Sequence, residues 1–187
     1  AEATALLERA RAAIAKLSSI SYTASASTEG IPAPSSTAEV HAKRVEAGGW
    51  AIAAKGTTTP GAGAKDAAPA AFEVAYDGVT SRALRESEKV VMELSTTEPS
   101  ELRLFFMRQN AGTAVAWEIF DEKPLAPADA ALAVDGKRAV DGVECDVLRV
   151  TPLSDPGSTL RFFIDDKGLP RRIERRRTGD GPAATTH

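Results

Sequence analysis

Cysteine is almost missing from this chain: Cys145 stands alone among 187 residues. One thiol closes no internal disulfide and makes no CxxC redox or metal motif, so cysteine usage is silent on the compartment. Histidine is nearly as scarce, with only His41 and His187. A Ser-His-Asp or Cys-His catalytic arrangement would have to use His41, and nothing near it resembles a nucleophile elbow. His41 therefore reads as a structural or surface residue. Aromatics make up 5% of the chain, so a core stays thin unless its few large residues cluster. No apolar run approaches the roughly 18 residues that cross a bilayer as a helix.

Phosphate and metal motifs are missing too. Gly56-Thr-Thr-Thr-Pro-Gly61 is followed by Ala62 where a phosphate loop carries Lys. Asp135 and Asp141 precede glycines directly, and Asp165 and Asp166 stand just ahead of Lys167-Gly168. Their spacing does not supply the alternating oxygen ligands and late glutamate of a calcium loop, so turn formation is their expected role. No catalytic residue, metal or cofactor is expected.

What is present is an ordinary globular composition, 43% hydrophobic and 26% charged. Much of the hydrophobic share is alanine, about a fifth of all residues. A net charge of −3 gives no basic footprint for nucleic acid. Residues 1–169 hold 18 basic and 24 acidic groups, against which Arg171, Arg172, Arg175, Arg176 and Arg177 make a basic end. That end could dock an acidic partner or anionic lipid, but a charged edge strand protected against aggregation is the plainer reading. The chain opens on Ala1-Glu-Ala-Thr, which suits a mature exported protein with its signal peptide removed, or a trimmed chain.

One amphipathic helix is expected over residues 3–17, with Leu6, Leu7, Ala10, Ile14 and Leu17 on one face. Alternation then predicts strands at 20–27, 37–46 and 50–55, with loops at 29–36 and 56–69, the latter mobile. Residues 72–76 and 79–85 form a hairpin about Asp77-Gly78, a pair suited to a two-residue turn. A strand at 88–94 and a helix at 99–108 come next, then residues 114–120, which favour helix because Trp117 and Phe120 are three apart. Strands resume at Ala130 and run to Arg177, with 178–187 as tail or linker after a single domain of 1–177. Cys145 alternates with Val143 and Val147 and is expected in the core as an inert thiol.

The remaining signal is apolar. Phe105, Phe106, Trp117 and Phe120 lie in the central helical region, and Leu160, Phe162 and Ile164 alternate along a late strand. Helices over the concave face of a curved sheet would gather these residues. Filled, the space is a core; partly unfilled, it is a pocket for acyl chains.

The order of elements resembles the periplasmic lipoprotein carriers and lipoprotein-localisation-factor relatives. The residues that carry it are Lys16-Leu-Ser-Ser-Ile-Ser-Tyr-Thr23, Val40-His-Ala-Lys43-Arg44, Tyr76-Asp77-Gly78, Val140-Asp-Gly-Val-Glu-Cys145 and Gly168-Leu-Pro-Arg-Arg172. The likeness spans about residues 4 to 177 in layout. It implies an α+β fold: a curved, incompletely closed antiparallel β-barrel with an N-terminal helix and short central helices packed over the concave face. It also implies a monomeric periplasmic or otherwise exported protein that binds a lipid or lipoprotein acyl chain and meets a membrane-associated protein partner. Arg44 matches the carriers' lid-gating arginine, although Val45-Glu-Ala-Gly-Gly49 follows where carriers continue with proline and aromatics. The competing expectation is a structural or sensory domain of a longer exported protein, with the cavity filled by side chains. A hydrolase ranks third.

Overall fold

The structure, a computed structural model, describes residues 1–28, 35–46, 48–61, 68–85, 89–109, 111–112, 114–121, 124–177 and 184–186. Helix α1 (Glu2–Ala15) buries Leu6, Leu7, Ala10 and Ile14 and packs against β7 (Ala130–Val140) and β8 (Val143–Pro152). Burying each of the three large side chains contributes roughly 1.5–3 kcal/mol. The helix stops two residues short of its expected end. The Lys16 and Leu17 amides turn back to the Ala13 and Ile14 carbonyls at 3.2 and 3.1 Å. Arg11 donates to the Pro124 and Ala126 carbonyls at 3.0 and 2.9 Å, which fastens α1 to the chain ahead of β7.

Six strands follow α1 in an antiparallel meander: β1 (Ser19–Thr28), β2 (Ser35–Arg44), β3 (Trp50–Thr59), β4 (Ala70–Tyr76), β5 (Thr80–Arg85) and β6 (Val90–Ser95). Strand β3 runs four residues past its expected end. Gly56-Thr-Thr-Thr59 lacks apolar alternation, but β2 begins at Ser35 and offers ladder partners as far as Ser35↔Thr59. The expected loop at 56–69 is thus strand at its start, while 29–34 and 62–67 lie outside the described residues.

The β4–β5 connection has three residues, not the expected two. Only Gly78 has positive φ, and the Asp77 carboxylate accepts from the Val79 and Thr80 amides at 2.9 and 2.8 Å. A true two-residue turn occurs at Asp141-Gly142, with φ of 49° and 80°, between β7 and β8.

Helix α2 (Pro99–Arg108) matches expectation to the residue, because Pro99 presets the first turn and Leu102, Phe105 and Phe106 share the buried face. Helix α3 is only Trp117–Phe120. Its expected first half, Ala114–Ala116, is instead a turn held by a side chain described below. Strands β7, β8, β9 (Ser158–Ile164) and β10 (Pro170–Arg177) form a second antiparallel meander. Strand β11 (Ala184–Thr186) pairs with β10 through Ile173↔Thr186 and Glu174↔Thr185.

The chain divides into two compact units, one chiefly of Ala1–Leu17 and Glu118–His187, the other of Ser18–Thr28 and Pro32–Trp117. Among the described residues β6 and β7 are end strands, so in neither unit does the run of strands close on itself. The expected α+β class with an unclosed antiparallel sheet is what the chain adopts. No helix among the described residues is long and apolar enough to cross a membrane.

Candidate functional site

Strict alternation along β1–β6 places one set of side chains on a common face, and the register aligns them in rows. One row runs Tyr22, Val40, Ala54, Val74, Ala83, Met92. A second runs Ile20, Ala42, Ile52, Tyr76, Ser81, Leu94, and a third Ala24, Ala38, Gly56, Phe72. Of their central members, Ala38, Val40, Ala42, Ile52, Ala54, Phe72, Val74, Ser81 and Ala83 are buried, while Gly56 and Tyr76 are half-buried. Most are alanine or valine, so the face is apolar but low in relief.

Tyr22 fixes what lies on this face. Its hydroxyl donates to the Ala114 carbonyl at 3.3 Å and accepts from the Ala116 amide at 2.8 Å. That pair of bonds satisfies two backbone groups of the turn and explains why it does not continue as helix. Trp117 follows at once and meets Phe106 edge to face, with centroids 5.2 Å apart and planes at 84°. The Arg103 guanidinium stands 5.8 Å from the Trp117 centroid, and Phe105 is buried one residue before Phe106. Two of the expected residues, Phe106 and Trp117, thus form an aromatic pair, and Phe105 is buried on the same helix as Phe106.

Leu160, Phe162 and Ile164 lie in the other unit on one face of β9. There Phe162 is flanked in register by Leu148 and Ile173, and Leu160 by Val150. Phe162, Ile164, Leu148 and Val150 are fully buried. Phe120 is half-buried at the end of α3, whose Glu118 is salt-bridged to Arg175. On the opposite face Phe163 packs with Val140, Cys145 and Val147. Arg172 lies over the Phe163 ring at 5.4 Å, and Asp135 bridges Arg149 and Arg161 at 3.2 and 3.1 Å. Arginine stems therefore roof this second apolar layer.

The other candidates take structural places. Cys145 is buried as expected; burial pushes its thiol up, and the Asp165 charge adds to the effect. His41 is exposed and shares a 2.8 Å hydrogen bond with Ser21, its cross-strand partner. Arg44 lies over Trp50 at 4.2 Å, also its cross-strand partner. The basic end is largely engaged inside the chain, with Arg171 on Asp165, Arg172 and Arg176 on Glu174, and Arg175 on Glu118. Asp165 makes the expected turn: its carboxylate accepts from the Lys167 and Leu169 amides and from Arg171. Burial opposes its ionisation, but these donors outweigh that and hold the carboxyl below its usual range. The alanine-rich face of β1–β6 was missed by a search for large apolar residues, although alternating alanines at 24, 38, 42 and 54 carried the signal.

No protein-family model matches the chain, and no curated protein does. Solved structures do match. MucB aligns over 100% of this chain and 56% of its own length, with a TM-score of 0.59 and 20% identity. The lipoprotein LppX of Mycobacterium tuberculosis aligns over 100% of this chain and 93% of its own, with a TM-score of 0.52 and 16% identity. LprF of Mycobacterium bovis gives 100% and 91%, with a TM-score of 0.51 and 14% identity. The chain shares the fold of MucB, LppX and LprF. At these identities the likeness is one of fold, and the chain spans just over half of MucB. Within this fold the six-stranded face and the aromatic residues beside Tyr22 are the candidate site.

Proposed function

We propose that the chain is a non-enzymatic, exported binding protein for an apolar ligand, of which the acyl chain of a lipid or lipoprotein is the leading example. The observation that carries this reading is the mismatch on the six-stranded sheet. Its buried face is mostly alanine and valine, with Ile52 and Phe72 among them, yet the group fastened to it through Tyr22 holds the Phe106–Trp117 ring pair, with buried Phe105 beside Phe106 in sequence. A smooth apolar floor beneath bulky rings suits a flexible hydrocarbon, which needs contact area and no directional partner. The fold shared with LppX, itself described as a lipoprotein, supports the same reading.

Leu160, Phe162, Ile164 and Phe120 are a second apolar set in their own unit, and Arg44 at the β2–β3 end is the proposed gate. Substituting each set separately tells which holds the ligand. Native mass spectrometry of protein purified from cells should show a bound lipid, and stripped protein should take up a fluorescent fatty acid. Trp117→Ala should weaken that uptake several-fold. Stripped protein that takes up no acyl probe would overturn the reading.

A second reading is an accessory domain of a longer exported protein, working through a protein partner. It is favoured by the match to about half of MucB, a protein solved in complex with MucA. Under that reading Trp117→Ala abolishes partner capture and acyl uptake is nil from the start.

A further inference from the structure

The turn joining β9 to β10 is pressed against α1. Gly168 in that turn has φ +83°, and a Cβ there would stand 3.1 Å from both the Ala13 Cβ and the Arg9 carbonyl oxygen. Glycine suits both demands, so the backbone of the turn that carries Lys167 lies close against the helix. Between turn and helix lies a pocket of about 330 Å³. Its polar lining is Arg9, Lys16 and Lys167, and its apolar lining includes Leu17 and Leu169.

Among the described residues no acidic side chain lines this pocket. Arg9 reaches out of it to Asp146 at 2.9 Å, while the Lys16 and Lys167 ammonium groups have no ion-pair partner among the described residues. A chain with net charge −3 has no general pull on anions, so the positive potential here is local. The carbonyls at the end of α1 would repel an anion, but those of Ala13 and Ile14 are occupied by the Lys16 and Leu17 amides.

We propose that this pocket binds the anionic group of an amphiphile, a phosphate or carboxylate held between Lys16 and Lys167. The adjoining apolar part of the ligand rests on Leu17 and Leu169. This site is separate from the proposed acyl site and does not depend on it.

Flotation of the full chain with vesicles containing phosphatidylglycerol, against vesicles of phosphatidylcholine alone, tests it. Binding should require the anionic lipid and weaken with added salt. Lys16→Gln and Lys167→Gln should each reduce it about fivefold, and the pair roughly thirtyfold. Thermal unfolding should stay unchanged, since both lysines are exposed. Lys43→Gln removes the same charge from the six-stranded sheet and should leave vesicle binding as it was. Inorganic phosphate that displaces the vesicles far more than sodium chloride at equal ionic strength assigns the site to a free anion and overturns the amphiphile; phosphate no stronger than chloride assigns it to a headgroup at a lipid surface. Equal binding to both vesicle types, an unaffected double variant, or a Lys43→Gln loss as large as the others would overturn the proposal.

Discussion

Across β1–β6 a central row reads Tyr22, Val40, Ala54, Val74, Ala83, Met92, whereas across β7–β10 it reads Val134, Leu148, Phe162, Ile173. Both rows come from the same alternation in the same kind of meander. They differ in volume. Large side chains on the shorter sheet are buried, and helix α1 packs against β7 and β8 of the same unit. Small ones on the longer sheet leave a layer to be completed by whatever lies above, here the aromatic group anchored by Tyr22. Stability should therefore be concentrated in β7–β10, and tolerance of an added guest in β1–β6.

The largest effect should come from Phe162→Ala, which removes a fully buried ring from the well-filled sheet. A loss of about 3–5 kcal/mol in urea unfolding is expected; a loss below about 1 kcal/mol would erase the contrast between the sheets. Asp165→Asn should cost roughly 1–3 kcal/mol by leaving Arg171 without its buried carboxylate. Because the folded carboxyl titrates below its unfolded value, its contribution is complete above about pH 4 and is lost as pH falls through the folded value. Acid unfolding of this amide variant should begin from a lower plateau and show a shallower slope than the parent.

Ala54→Leu sharpens the comparison from the other side. If the small-residue floor has spare room, this change should cost less than the roughly 1–3 kcal/mol of an overpacked core while blocking uptake of the acyl probe. A full overpacking cost with no bound lipid in the parent protein would mean that the floor is already filled. The smallest effect is expected from Arg44→Ala, about 0.5–1 kcal/mol for an exposed cation over Trp50. Unchanged ligand release in that variant would remove Arg44 as a gate.

Local features were legible in the sequence because local physics sets them. Pro99 with Leu102, Phe105 and Phe106 defines α2, Asp141-Gly142 defines a turn, and Val143, Cys145 and Val147 announce a buried strand face. The unclosed antiparallel fold likewise came through element order. Partner choice was not legible. Gly56–Thr59 carries no strand pattern, and only its alignment with Ser35–Ala38 makes it β3. The turn at Ala114–Ala116 depends on Tyr22, 94 residues from Ala116, so no window of sequence could show it. For the candidate site, the aromatic residues stood out by size. The alanine floor did not, since small side chains acquire meaning only when register lines them up.

A sheet that ends in an unpaired strand invites a neighbouring copy to add to it. In β7 the register slips between Val134 and Lys137, and Asp135 at the slip is turned toward Arg149 and Arg161. The bulge breaks the run of ladder groups that an incoming strand would need, and the charge triad makes the approach costly. At β6 no register slip interrupts the pairing with β5, and Val90 and Val91 are exposed. Solubility of this protein is thus guarded unevenly, and when it self-associates on storage or at high concentration, β6 is where the first intermolecular ladder should form.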